Sequence, residues 1–267
     1  YAVSPLTRGW LKAACVAFCT QDIVKSYIWA EKIVVITAAK ADLYTDENLR
    51  VYLGRIRMGS RLPLEDDGGP GRYRVCVPLR KPDGGCAMAY AYVQERDAYP
   101  GYLPYTPRTI IDQAFKLLHA PYGWGGQFGE QDCSRYLQQV FATVGLVLPR
   151  NTTQQGRVGR QIYRNPTRGN GREKLMVLKN EAIPGLTLLK MSGHIILFLG
   201  WVDETPFGIH GFWGYRQDTG GMVVVNRVAV TRLDLGSGPS GTYLERISTM
   251  RVLDAPDEPP NARPDMP

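Results

Sequence analysis

The sequence predicts an α+β chain: a small all-β barrel, then a larger domain whose helices pack on an antiparallel sheet. Three observations carry this. Between Glu31 and Tyr105, five or so short alternating runs are separated by glycine-rich turns, the texture of a small barrel. Between Thr106 and Gly145, apolar residues recur at helical spacing. From Leu186 to Val230 the chain returns to strand-like apolar runs. The expected organisation is an N-terminal arm over residues 1–30, the barrel over 31–105 and the larger domain over 106–267. The last dozen residues, rich in Pro, Asp and Glu, read as a surface tail.

Each element has its own signal. The arm, up to Ala30, reads in its later part as a helical connector with Val16, Ile23, Tyr27 and Ile28 as its contacts. In the barrel, Ile33 to Thr37 is a β-branched run, and residues alternate around Val51, Leu53 and Ile56, from Tyr73 to Val77 and from Met88 to Val93. Turns fall at residues 66–71 and 83–85. Thr106 then caps a helix with Pro107 at its first position and Ile110, Ile111, Ala114, Leu117 and Leu118 on its buried face. Asp132 caps the next helix, along which Leu137, Val140, Phe141 and Val144 recur before Gly145 stops it. A polar rim from Asn151 to Lys174 follows, then strands at 186–190, 194–201, 207–212 and 222–230.

Cys133 lies on that second apolar stripe, four residues before Leu137, so its thiol starts the helix and points inward. A helix N-terminus carries about half a positive charge and free N–H donors. Both favour thiolate, the nucleophilic form. Glycines in Tyr122-Gly123-Trp124-Gly125-Gly126 would let backbone approach a ligand closely. A lone buried cysteine is more often a small hydrophobe, and a nucleophile also needs a base. The chain has three histidines. His194 and His210 sit in two short apolar runs that adjacent antiparallel strands could bring together. One imidazole would take the thiol proton while the other orients it. His119 closes the helix before Tyr122, where it interacts with the dipole and needs no further role.

Five blocks in order, Tyr122-Gly-Trp-Gly-Gly, Asp132-Cys133-Ser134, Leu148-Pro149-Arg150-Asn151, Gly193-His194-Ile195 and His210-Gly-Phe-Trp-Gly, resemble the NlpC/P60 family of bacterial cell-wall cysteine peptidases. The resemblance runs from about Thr106 to Leu253, and is nearest to members with bacterial SH3 (SH3b) domains ahead of the catalytic one. It implies a stripped-down papain-like fold, with Cys133 as nucleophile, His194 as base and His210 as the orienting third residue. The family often continues Asp-Cys-Ser with Gly or Ala; Arg135 stands there in this chain. The barrel is identified by resemblance as SH3b, Tyr102 taking the place of the usual Trp in its closing segment. Thr7 to Leu11 resembles the strand that closes an earlier, incomplete SH3b.

The resemblance also implies a substrate: the bond between γ-linked D-glutamate and the diamino acid of a peptidoglycan stem peptide, with a free N-terminal L-alanine. Asp132 and Ser134 match the family's positions for the ammonium, Thr152 lines the same pocket, and Tyr99 completes its wall. Two alternatives stay open. One is a non-catalytic wall-binding protein with a vestigial NlpC/P60 domain; the other is a same-fold amidase or acyltransferase.

Composition limits the classes. With 44% hydrophobic and 21% charged residues, the chain has an ordinary globular balance, and no run reaches the roughly 20 apolar residues of a membrane span. The net charge of +7 suits an anionic wall polymer. Basic clusters interleaved with aromatics are missing, so nucleic acid is not expected as a partner. No zinc spacing occurs, so neither metal nor cofactor is expected. Tyr1 opens the chain without a visible signal peptide, as in a processed product; export to the periplasm or wall follows only from the family resemblance. Of five cysteines, Cys15, Cys19, Cys76 and Cys86 are enough for two disulfides, but the turn at Asp83-Gly84 would not set Cys76 opposite Cys86.

Overall fold

Alternating residues between Ile33 and Pro100 pair into one antiparallel sheet. The protein, seen in a computed structural model, is described over residues 1–3, 8–66, 68–165, 171–217, 219–237 and 241–254. It divides into two units, Tyr1–Pro104 with Ala142–Gly145, and Tyr105–Phe141 with the chain from Leu146 onward.

In the first unit, β1 (Ala2–Val3) and β2 (Arg8–Gly9) form a short antiparallel pair. Helix α1 (Gln21–Ile28) begins where the Thr20 side chain accepts from the Ile23 amide, and it buries none of its residues. Seven strands follow, two more than expected: β3 (Ile33–Ile36), β4 (Lys40–Tyr44), β5 (Tyr52–Arg57), β6 (Arg61–Asp66), β7 (Arg72–Arg80), β8 (Cys86–Gln94) and β9 (Ala98–Pro100). Their order is β5-β4-β8-β7-β6-β3-β9. Alternation delivers Val34, Ile36, Leu43, Leu62, Val75, Val77, Ala91 and Val93 to one core. The two strands not expected are β4, only five residues long, and β6, where Pro63 inside the run argues against a strand.

In the second unit, α2 (Pro107–Lys116) starts as its cap predicts: Thr106 accepts from the Thr109 amide, and Pro107 holds the first position. His119 lies past the end of α2, exposed, with φ 66° and its amide donating to the Val228 carbonyl. It is therefore a turn residue and not the helix-end residue expected. Helix α3 (Cys133–Ala142) buries eight of its ten residues. The expected polar rim instead holds α4 (Thr152–Gln155), β10 (Arg160–Arg164) and the start of α5 (Gly171–Asn180). An edge strand with one buried residue, Tyr163, has no apolar alternation to betray it.

Strands β11 (Thr187–Met191), β12 (His194–Val202), β13 (Thr205–Arg216), β14 (Met222–Arg232) and β15 (Thr249–Val252) complete a six-stranded sheet ordered β10-β15-β11-β12-β13-β14. Between β14 and β15, α6 (Tyr243–Arg246) opens on a capping box of Thr242 and Glu245. Leu189, Met191, Ile196, Phe198, Phe212, Tyr243 and Met250 form one apolar cluster. The predicted tail lies outside the described residues. No helix among the described residues is long and apolar enough to cross a membrane.

Candidate active site

Strand register explains why two histidines sixteen residues apart meet. Leu197 pairs with Ile209 across β12 and β13. Continuing that register puts His210 opposite Ile196, with His194 diagonal to it on the same face. His194 Nε2 lies 2.6 Å from His210 Nδ1. His210 has no solvent exposure; it stacks on Phe212 at 4.2 Å and meets the edge of Tyr243 at 5.2 Å. Its other nitrogen, Nε2, is 2.8 Å from Thr231 Oγ1 on β14.

Cys133 opens α3, as expected, and is buried. Asp132 Oδ1 accepts from the Arg135 amide at 2.9 Å, the expected cap. The amides of Cys133, Ser134 and Ile195 all face the sulfur, and the Tyr122 hydroxyl is hydrogen-bonded to Cys133. The Ile195 contact brings the head of β12, and so His194 beside it, against the head of α3.

Electrostatics correct one expectation. Burial, and then the Asp132 carboxylate, push the Cys133 thiol up to about 11 despite the helix amides. Burial, and then the Arg246 charge, lower His194 to about 3. Burial, and then His194, hold His210 well below the ordinary imidazole value. At neutral pH these shifts favour a neutral thiol and neutral imidazoles over the thiolate that a helix start alone would favour. With Nε2 turned to His210, the nitrogen of His194 left to take a proton is Nδ1.

Beside Cys133 is an ion network of which the sequence disclosed Asp132 and Ser134 but not Arg150. Arg150 donates to both Asp132 oxygens, Nη1 to Oδ1 at 3.0 Å and Nη2 to Oδ2 at 2.7 Å, and to Ser134 Oγ at 2.8 Å. Ser134 lies 3.0 Å from Asp132 Oδ1 and 2.8 Å from the Arg150 carbonyl. Although burial works the other way, Arg150 and the Arg135 amide hold the Asp132 carboxyl below its ordinary range. Gln155 fastens α4 to this corner, donating to the carbonyls of Ser134 at 2.9 Å and Pro149 at 2.8 Å. Thr152, half-buried, begins that same helix. Tyr99 belongs to β9 in the other unit, where it is exposed.

One glycine of the loop serves local packing. A Cβ at Gly123 would fall 2.6 Å from the Gln127 carbonyl oxygen and 2.8 Å from Glu130 Cβ, so this glycine lets the loop close on itself. The fold leaves Trp124 and Trp213 partly exposed, 6.2 Å apart, with Tyr122 edge-on to Trp124 at 5.3 Å.

Arg150, Thr231, Gln155 and Tyr122 are the residues whose roles the sequence did not disclose. Two of them, Arg150 and Tyr122, stand inside recognised blocks. Gln155 and Thr231 carry no local signal. Among the described residues no three His, Cys, Asp or Glu side chains form a metal-holding group.

Residues 119–200 match the NlpC/P60 family model. Among solved structures, the chain is similar to an NlpC/P60 endopeptidase from Photobacterium damselae subsp. piscicida, at 21% identity and TM-score 0.74 over 92% of this chain and 58% of that one. It is also similar to an NlpC/P60 family protein from Bacillus cereus ATCC 10987, at 19% identity and TM-score 0.57 over 87% of this chain and 66% of that one. The chain thus spans less than two thirds of either structure. No curated protein matches it. The fold is that of NlpC/P60 proteins, α+β with antiparallel sheets, and the matched segment contains both Cys133 and His194.

Proposed function

We propose that the protein is a cysteine peptidase acting on peptidoglycan stem peptides, at the bond between γ-linked D-glutamate and the diamino acid, where the N-terminal L-alanine is free. The observation that carries this reading is the joint placement of Cys133, His194 and His210 beside the network of Asp132, Ser134 and Arg150. A neutral thiol requires general-base attack. Cys133 Sγ bonds to the amide carbon as its proton passes to His194 Nδ1. The amide of Cys133 and the hydroxyl of Tyr122 stabilise the oxyanion. His194 then protonates the leaving amine, and water hydrolyses the thioester with His194 again as base. His210 keeps His194 oriented throughout.

Asp132 reads the substrate's ammonium. Its Oδ1 already accepts from Arg150, Arg135 and Ser134, while Oδ2 takes Arg150 and keeps a lone pair. In this reading Thr152 borders the same pocket. The net charge of +7 suits contact with anionic wall polymer, and residence in the periplasm or wall rests on the family resemblance.

The test uses L-Ala-γ-D-Glu-meso-diaminopimelate, its lysine analogue and the N-acetylated forms of both, with fragments identified by mass. Acetylation should slow turnover at least about tenfold, equivalent to ~1.4 kcal/mol. Asp132→Asn is a poor control, since it also breaks the cap and the Arg150 pair. Arg150→Gln is better: it leaves the carboxylate and should enlarge the preference for the free amine. Equal rates on free and acetylated peptides would point instead to an endopeptidase of the assembled wall. No cleavage of any peptide would favour the wall-binding or amidase alternatives.

A further inference from the structure

We propose that Thr231 is a positioning residue that selects the tautomer of His210 and, through it, the nitrogen on which His194 accepts a proton. This rests on the peptidase reading for its kinetic arm only. The three side chains form one line: His194 Nε2 to His210 Nδ1 at 2.6 Å, and His210 Nε2 to Thr231 Oγ1 at 2.8 Å. For His194 Nδ1 to be a lone pair, its proton must sit on Nε2 and be donated to His210 Nδ1. The proton of His210 then sits on Nε2. In a site with no solvent exposure that N–H needs an acceptor, and the Thr231 hydroxyl is in place for it.

The reverse direction is inactive. If Thr231 donates to His210 Nε2, then His210 donates from Nδ1 and the proton of His194 moves to Nδ1, where it blocks the base. Once the thiol proton reaches His194, both of its nitrogens are protonated and only the first direction is allowed. An acceptor beyond His210 thus makes the working state available.

Thr231→Val keeps the β-branched shape and removes the acceptor. It should lower kcat at least about tenfold with KM unchanged within about twofold, and Thr231→Ser should restore most of the loss. Ring-nitrogen NMR of the uncleaved protein gives a readout independent of substrate. His210 should carry its proton on Nε2 in the native and Ser proteins and on Nδ1 in the Val variant. An unchanged tautomer in a folded Val variant would overturn the proposal. Should no stem peptide be cleaved by the native protein, the peptidase reading fails while the spectra still decide the role of Thr231.

A separate observation in the first unit carries a second inference: the structure assigns Cys19 and Cys86 as a disulfide-forming pair. Phe18 forms a parallel bridge with Gly85, its amide donating to the Gly84 carbonyl at 3.0 Å and its carbonyl accepting from the Cys86 amide at 2.9 Å. Cys19 and Cys86 are the next residues in that register, and their thiols are in hydrogen-bond contact. Paired strands lie about 4.8 Å apart, inside the ~4.4–6.8 Å Cα window of disulfides. Cys76 does not compete. It pairs with Tyr90 while Cys86 pairs with Arg80, four positions away, or roughly 13 Å along the strand.

A disulfide-bearing oxidant is required. The thiolate of exposed Cys19 attacks it, forming a mixed disulfide and releasing one thiol. Cys86 then attacks the Cys19 sulfur and expels the second. Two protein thiols lose two protons and two electrons, and the oxidant's disulfide gains both. After incubation with oxidised glutathione, intact mass should fall by two hydrogens, and peptide mapping should find Cys19 joined to Cys86. The loss should persist in Cys15→Ser and Cys76→Ser and vanish in Cys19→Ser and Cys86→Ser. A link through Cys76, or stable glutathione adducts without closure, would overturn the pairing.

Discussion

The Cys133 thiol is raised to about 11 and His194 is lowered to about 3, and this pair of shifts decides how the site can work. A preformed thiolate–imidazolium pair would react with alkylating agents at neutral pH. Here burial outweighs the amides of the helix start, so inactivation by iodoacetamide should accelerate as pH rises toward 11, past the ordinary thiol range near 8.5. A plateau near pH 7 would show that the ion pair exists at rest. Cys133→Ala should abolish cleavage with little change in thermal midpoint, because a single small buried atom is removed. His194→Ala should be nearly as severe, whereas His210→Asn or His210→Gln should be milder, since an amide can still orient the imidazole. Rates of the three variants on one stem peptide check this order.

At the scale of elements, the distance between the histidines is set by how closely β12 and β13 pack. Gly208 on β13 faces Phe198, and a Cβ there would fall 2.3 Å from Ile196 Cγ2. Gly208→Ala should therefore push the strands apart, costing about 1–3 kcal/mol of stability and moving His210 away from His194. Urea unfolding and kcat should both fall, and a variant of native stability and rate would sink the argument. The same strands show where the sequence was legible. Their apolar runs predicted β12 and β13, and the N-cap at Asp132 predicted α3, because those signals are local. Cys133, His194 and His210 could be singled out as candidates because the chain has three histidines and each of the three residues stands in a recognisable block. Arg150, Gln155 and Thr231 were not assigned roles, because each acts through a contact 16 to 21 residues away that only the folded chain creates. Edge strand β10 and short β15 escaped because one buried tyrosine and a four-residue run leave no periodicity to read.

For the whole molecule, the histidine pair, His210 buried and His194 half-buried, ties the stability of the second unit to pH. In the unfolded chain both imidazoles titrate near 6.5. In the folded chain His194 titrates at about 3, for burial and the Arg246 charge, and His210 is held well below its ordinary value by burial and His194. Between about pH 6.5 and 3 the unfolded chain therefore binds protons that the folded one refuses, and stability rises with pH over that window. The contribution is complete above about 6.5 and is lost as pH falls below it. Asp132 acts in the same direction at lower pH: Arg150 depresses its carboxyl, so the stability it supplies is lost as pH falls through and below the ordinary carboxylate range near 3.9. Urea midpoints of Cys133→Ala, used to keep the chemistry silent, should drop between pH 7 and pH 4.5. Replacing both histidines by Gln on that background should flatten the drop over this interval, where Asp132 contributes little, even if the variant is less stable at pH 7. Parallel slopes for the two proteins would mean that the histidines titrate normally in the folded state, and would remove the neutral-imidazole basis for general-base attack.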